Sequence, residues 1–199
     1  MKKLLLILPL ISYSSVALAE FPIGKVGVRV SPKVDIDIDG APKDGDGNAM
    51  GLYGEFGSTS LFGYADAQRS DLDILNVSID LDETRFGLGA RTSNETGSAE
   101  VRVERYEVDL DIGNASISDD GSAVHVGGAL NIGAKAAVFA DFGFISMSDL
   151  DGDEFQVGVR GNISDSAEIY GAYRTLTLED DFNDGIELSE LRLGVNLLF

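Results

Sequence analysis

The chain has 199 residues, with 34 Asp and Glu against 15 Lys and Arg, a formal charge of −19. So negative a chain repels nucleic-acid phosphates, which excludes a nucleic-acid partner. Cysteine is absent, so no disulfide framework holds the fold, and the 44% hydrophobic residues alternate too regularly for a disordered acidic chain.

Met1-Lys2-Lys3 precedes an apolar run that reaches Ile11, and Ala17-Leu18-Ala19 supplies small residues. This is a secretory signal peptide over 1–19, cut between Ala19 and Glu20, with one domain over 20–199. No later run approaches the roughly 20 apolar residues of a spanning helix.

Beyond it the apolar residues recur every second position, the period of a strand with one oily face. In the first run, Lys25 to Asp39, Val26, Val28, Val30, Val34, Ile36 and Ile38 share a face. Lys25, Arg29, Lys33, Asp35 and Asp37 share the other. A polar loop from Gly40 to Asn48 leads to Met50, Leu52 and Phe56, alternating with Gly51, Tyr53 and Glu55. Leu61 to Gln68 follows, then an acidic segment, Arg69 to Asp73. Val77, Ile79 and Leu81 alternate up to Asp82-Glu83, and Phe86, Leu88 and Ala90 resume on the opposite parity. That switch predicts a bulge or tight bend. Val101 and Val103 give way to Tyr106, Val108, Leu110 and Ile112 with a second switch, and Gly113 to Gly121 reads as a longer connection.

The second half is more regular. Val124, Val126 and Leu130 form one strand, Val138 to Phe144 another, and Phe155, Val157, Val159 and Ile163 a third. Glu168 to Leu178 is the penultimate strand, with poorly distinguished faces. The count is ten; dividing Leu61 to Arg91 differently gives eight or twelve.

The last strand is the clearest. Leu191, Leu193, Val195, Leu197 and Phe199 alternate with Glu190, Arg192, Gly194 and Asn196. This segment resembles the closing strand of a bacterial outer-membrane β-barrel, of the small OmpA/OmpX-like or porin-like class. The resemblance implies that these five residues are the assembly signal. It also implies an all-β, antiparallel, up-and-down transmembrane barrel in the outer membrane of a Gram-negative bacterium. Its partners would be outer-membrane lipid, lipopolysaccharide and the barrel assembly machinery; no pattern sets an oligomeric state.

In such a barrel a cation facing lipid at mid-depth costs roughly 2–4 kcal/mol, so cations on the polar face point inward. Lys25, Arg29, Lys33, Arg85, Arg91, Arg102, Arg160 and Arg192 are the candidates, opposed by Glu55, Glu100, Asp141, Glu154 and Glu190. A barrel of about eight strands is filled by its own side chains, whereas 16 or more leave a channel. The expected function is therefore a closed or very narrow barrel with a structural, membrane-integrity role. A porin-like channel and a surface-binding barrel are the alternatives.

Two acidic stretches, Asp44-Gly-Asp46-Gly-Asn48 and Asp149-Leu-Asp151-Gly-Asp153, space oxygen ligands as part of a calcium loop does, a weak match without the distal Glu. No other cofactor is expected. His125 is the only histidine, placed near the outer end of its strand with Ser122, Asp119 and Asp120 close in sequence. It carries no catalytic motif, so no enzyme is expected.

Overall fold

The computed structural model describes residues 23–39, 44–75, 77–113, 115–180 and 185–199. The signal-peptide segment, 1–19, lies outside them. Ten strands form a closed barrel: β1 (Ile23–Ile38), β2 (Gly45–Gly57), β3 (Leu61–Ile74), β4 (Val77–Ser93), β5 (Gly97–Ile112), β6 (Ala115–Asn131), β7 (Ala136–Met147), β8 (Asp151–Ser164), β9 (Ala167–Glu179) and β10 (Gly185–Leu198). Each pairs antiparallel with its chain neighbours, and β1 pairs with β10 to close the sheet. Ten is the count the alternation predicts, and an even count returns β10 to the end where β1 began. That end is the terminal end here; the opposite one is the distal end.

The strands run 12 to 17 residues, longer than the roughly 9–11 that cross a bilayer. The surplus has a clear use. Near the terminal end the outward face is apolar, with Val26, Val28 and Val30 on β1, Leu88 and Phe86 on β4, and Val103 on β5 all exposed. Towards the distal end the outward residues become acidic: Asp80 and Asp82 on β4, and Glu107, Asp109 and Asp111 on β5. The interior inverts in the opposite sense, from buried Arg85 and Glu83 to buried Leu81 and Ile79. One stretch of each strand is therefore built for lipid outside and polarity inside, and the rest for water outside and a hydrophobic core inside.

This inversion corrects the expected bulges in β4 and β5. Their register is continuous from Ile79↔Ile112 to Ser93↔Ser98, so the backbone never slips. Residues of one parity point inward throughout, and it is the surroundings that exchange. The apparent bend at Asp82-Glu83 is the edge of the apolar belt.

A real bulge lies elsewhere. In β1, Val30 faces Leu193 and Lys33 faces Leu191, so β1 spends one residue more than β10. Pro32 sits in that step, where a missing N–H costs the ladder nothing. The extra residue turns Val34 and Ile36 inward although they share parity with the outward Val30.

The remaining corrections concern connections. Gly45 to Asn48 belongs to β2, and 115–121 belongs to β6 rather than to a long connection. The described turns are short at both ends; Ile74 and Val77, for example, pair across a tight hairpin. Leu75 at that tip has φ 53°, in the left-handed region, as does Gly113 at the next tip with φ 59°.

Candidate functional site

The interior is the site the fold builds, and it has three layers. The distal layer is apolar. Val34, Ile36, Leu72, Ile79, Leu81, Tyr106, Leu176, Leu178 and Leu188 pack into one buried cluster that crosses the barrel. These residues face inward because the strand period delivers every second side chain to the lumen. An ionic lumen along the whole barrel, as the sequence suggests, is thus limited to the other layers.

Beneath the cluster lies a buried ionic layer centred on Arg174. Its Nη1 donates to Glu83 at 2.9 Å and Glu190 at 2.8 Å, and its Nη2 to Glu83 at 2.6 Å and Glu154 at 2.8 Å. Arg85 lies 2.7 Å from both Glu83 and Glu154 and stacks 4.3 Å from the centre of the Tyr106 ring. The Tyr106 hydroxyl donates to Glu83 at 2.6 Å, joining the ionic layer to the apolar one. Arg192 donates to Glu190 at 2.8 Å and to Gln156 and Gln68 at 2.9 Å each. Arg29 pairs with Asp66 and donates to Gln68 at 2.9 Å. Buried charges at this density hold only because nearly every one is paired and hydrogen-bonded.

His125 lies at the edge of this layer. Its Nδ1 is 2.7 Å from Asp141 and its Nε2 is 2.9 Å from Glu104, so whichever nitrogen carries the proton faces a carboxylate. Gly143 makes room for the ring: a Cβ there would lie 2.4 Å from it. His125 stands opposite Arg102 and Gly143 within the barrel, not near the distal rim. Ser122 is on the outward parity, and Asp119 instead accepts from the backbone N–H groups of Ser148, Asp149 and Leu150. No hydroxyl nucleophile touches the imidazole among the described contacts.

The third layer opens at the terminal end. Arg91 pairs with Glu55 at 2.7 Å and Glu100 at 2.8 Å, and Arg102 with Asp141 at 2.8 Å. Lys25 and Arg160 both approach Glu168, at 3.9 and 3.7 Å. A chamber of about 320 Å³ lies at this mouth and continues into a narrower space of about 130 Å³ that ends on the ionic layer at Arg85 and Glu154.

Of the charged residues expected inside, Lys33 alone is elsewhere. The β1 bulge turns it to the outer surface, where its side chain is 69% exposed and bonded to Asp35 at 2.6 Å. The sequence reading omitted Glu83, Arg174, Glu104, Asp66 and Glu168. Arg174 could have been found, since it shares parity with Leu176 and Leu178, the inward residues of β9. The calcium-like stretches are largely extended: Asp46 and Asn48 lie along β2 with Asp44 just before it, and Asp151 and Asp153 lie along β8 with Asp149 in the turn before it. Among the described residues, no three His, Asp or Glu side chains converge as a metal site. Leu191, Leu193, Val195 and Leu197 all face outward in the apolar belt, and Phe199 closes against Gly24.

No protein-family model and no curated protein matches this sequence. Solved structures do match its fold. The β domain of the Bordetella autotransporter BrkA aligns with TM-score 0.55 at 9% identity, over 89% of this chain and 99% of that one. Neisserial surface protein A aligns with TM-score 0.52 at 10% identity, over 89% and 99%. The fold is that of the outer-membrane β-barrels.

Proposed function

We propose that this chain is a small, closed outer-membrane barrel with a structural role in the membrane, standing partly clear of the lipid. The observation that carries this reading is the stacking of an apolar cluster on a buried ionic layer across the whole lumen. A solute entering from the distal end meets Ile74, Ile79 and Leu178 first, then Leu72, Leu81 and Leu176, and then the Arg174 carboxylate cage. Displacing either costs far more than transient passage can return.

The outward face supports the membrane placement. From Met50 to Phe56 the belt height is roughly 15 Å, taking about 3.3 Å per residue and a tilt near 40°. Phe86, Phe144, Phe155 and Tyr173 ring its distal edge, and Phe56 and Phe199 its terminal edge, where aromatic girdles belong. Above the belt Asp80 stands opposite Asp111 and Asp82 opposite Asp109. Arg69 on β3 partly offsets them, at 2.9 Å from Asp80 and 3.7 Å from Asp82, and outward charges of both signs at this height suit water rather than lipid. The terminal end then faces the periplasm and the acidic wall faces outward, towards lipopolysaccharide and its divalent cations. Leu191 to Phe199 would be the segment read by the assembly machinery.

Single-channel recording on the refolded chain in planar bilayers tests this reading. The expected result is insertion, shown by protease protection, without steady conductance. Stable open steps would replace the closed barrel with a porin-like channel.

A further inference from the structure

The periplasmic chamber has a charge pattern unlike the rest of the molecule. In a chain of −19, its mouth is lined by four cations, Lys25, Arg91, Lys135 and Arg160, against two carboxylates, Glu55 and Glu168. Glu55 is engaged, taking two Arg91 nitrogens at 2.7 and 3.0 Å, and deeper in the lumen Asp141 takes Arg102 and His125. Glu168 itself accepts from Asn196 at 2.8 Å. Lys25 and Arg160 reach it only at 3.9 and 3.7 Å, outside hydrogen-bond range. Aromatic rings hold both cations in place, Tyr53 at 5.2 Å from the lysine nitrogen and Phe139 at 6.0 Å from the guanidinium. Two positioned cations with donors to spare, beside a cavity of about 320 Å³, form a preorganised receptor for negative charge.

We propose that this chamber binds one small oxyanion, a carboxylate or phosphate group, between Lys25 and Arg160. The side chain of Asn162 at the same mouth offers a neutral donor to the remaining oxygens, and Asn131, whose Nδ2 already donates to the Glu95 carbonyl at 2.9 Å, keeps one hydrogen for the same use. A cation is disfavoured there, since it would compete with Lys25 and Arg160 for one carboxylate. The proposal rests on the closed, periplasm-facing reading for its direction of access: the ligand enters and leaves by one mouth and does not cross the membrane.

The test is amide NMR on the refolded mature chain in zwitterionic detergent at low salt, titrated with inorganic phosphate and, separately, with a short-chain phosphatidylglycerol. Saturable shifts centred on Lys25, Lys135 and Arg160 are expected with inorganic phosphate, which makes the source a free solute. Shifts with the lipid alone keep the oxyanion site and make its source a headgroup. In the double variant Lys25→Gln/Arg160→Gln, binding should weaken at least 10-fold, while Lys33→Gln, on the outer wall, should match the parent. The cold-versus-boiled gel shift verifies that each variant is folded. Non-saturating shifts with both ligands, or affinity unchanged in the folded double variant, overturn the site. Conductance is recorded on the same preparation: saturable binding with open steps retains the oxyanion site and removes the closed lumen. Silence with no binding removes the site alone.

Discussion

Arg174 on β9 and Glu83 on β4 grip each other with two parallel N–H···O bonds, at 2.9 and 2.6 Å, across the inside of the barrel. The two strands are not neighbours in the sheet, so this fork ties opposite walls where backbone hydrogen bonds cannot. Replacing Arg174 with Leu takes a shared cation from three buried carboxylates, leaving Arg85 and Arg192 to hold them, and about 3–5 kcal/mol of stability should be lost. The double variant Glu83→Leu/Arg174→Leu should recover part of that loss, because one uncompensated carboxylate goes with the arginine. Urea unfolding of the refolded barrel, read by the gel shift, measures both. A single variant as stable as the parent would mean that the fork carries no energy.

The edge of the apolar belt predicts a sharp depth dependence. Leu88 faces outward inside the belt and Asp109 faces outward above it. In lipid vesicles Leu88→Arg should cost roughly 2–4 kcal/mol, whereas Asp109→Arg should stay within about 0.5 kcal/mol of the parent. Equal penalties at the two positions would remove the assignment of the belt to lipid.

Leu75 holds φ 53° at the exposed tip between β3 and β4. A left-handed leucine costs roughly 1–2 kcal/mol of backbone strain, and Asn tolerates the same geometry better. Leu75→Asn should therefore stabilise the barrel by about 0.5–1 kcal/mol, seen as a higher urea midpoint with unchanged slope. A lower midpoint would show that the leucine side chain packs usefully at the tip.

Barrel closure depends on Gly24 and Phe199, which exchange backbone hydrogen bonds at 2.6 and 3.0 Å. A Cβ on Gly24 would sit 2.1 Å from the Phe199 ring. Gly24→Val should force that ring aside and impair closure in vitro, lowering the heat-modifiable fraction after refolding. Phe199→Ala keeps the backbone bonds and should refold normally in detergent, yet accumulate poorly in outer membranes if the terminal aromatic is read during assembly. Normal accumulation in cells would exclude that role.

Much of this architecture was legible in the alternation, because a period of two survives wherever one face meets oil and the other water. The strand count and the alternating closing run Glu190 to Phe199 followed from it. What misled was the assumption that the oily face is always the outer one. In β4 the change from inward Leu81 to outward Phe86 reads as a slipped register, although the backbone runs straight. In β1 the bulge at Pro32 and the change of surroundings coincide, so Val30 and Val34 look like one face and the real irregularity is masked. Lys33 was misplaced for that reason. Arg174 and Glu83 were missed because they lie just where the inward face passes from apolar to charged. Pairwise partners such as these depend on closure across the barrel, which no local pattern encodes.

The acidic distal wall also has a consequence for how the molecule reaches its place. Asp71, Asp80, Asp109 and Glu187 point away from the axis, so in a half-inserted chain each would face hydrocarbon. In the orientation proposed above, every one of them must cross the bilayer before its water-facing position exists. Spontaneous entry into thick, intact vesicles should be slow, and thin or defect-rich bilayers should relieve it. Once across, the same carboxylates oppose return, so the wall acts as a one-way catch that fixes orientation by kinetics rather than by binding.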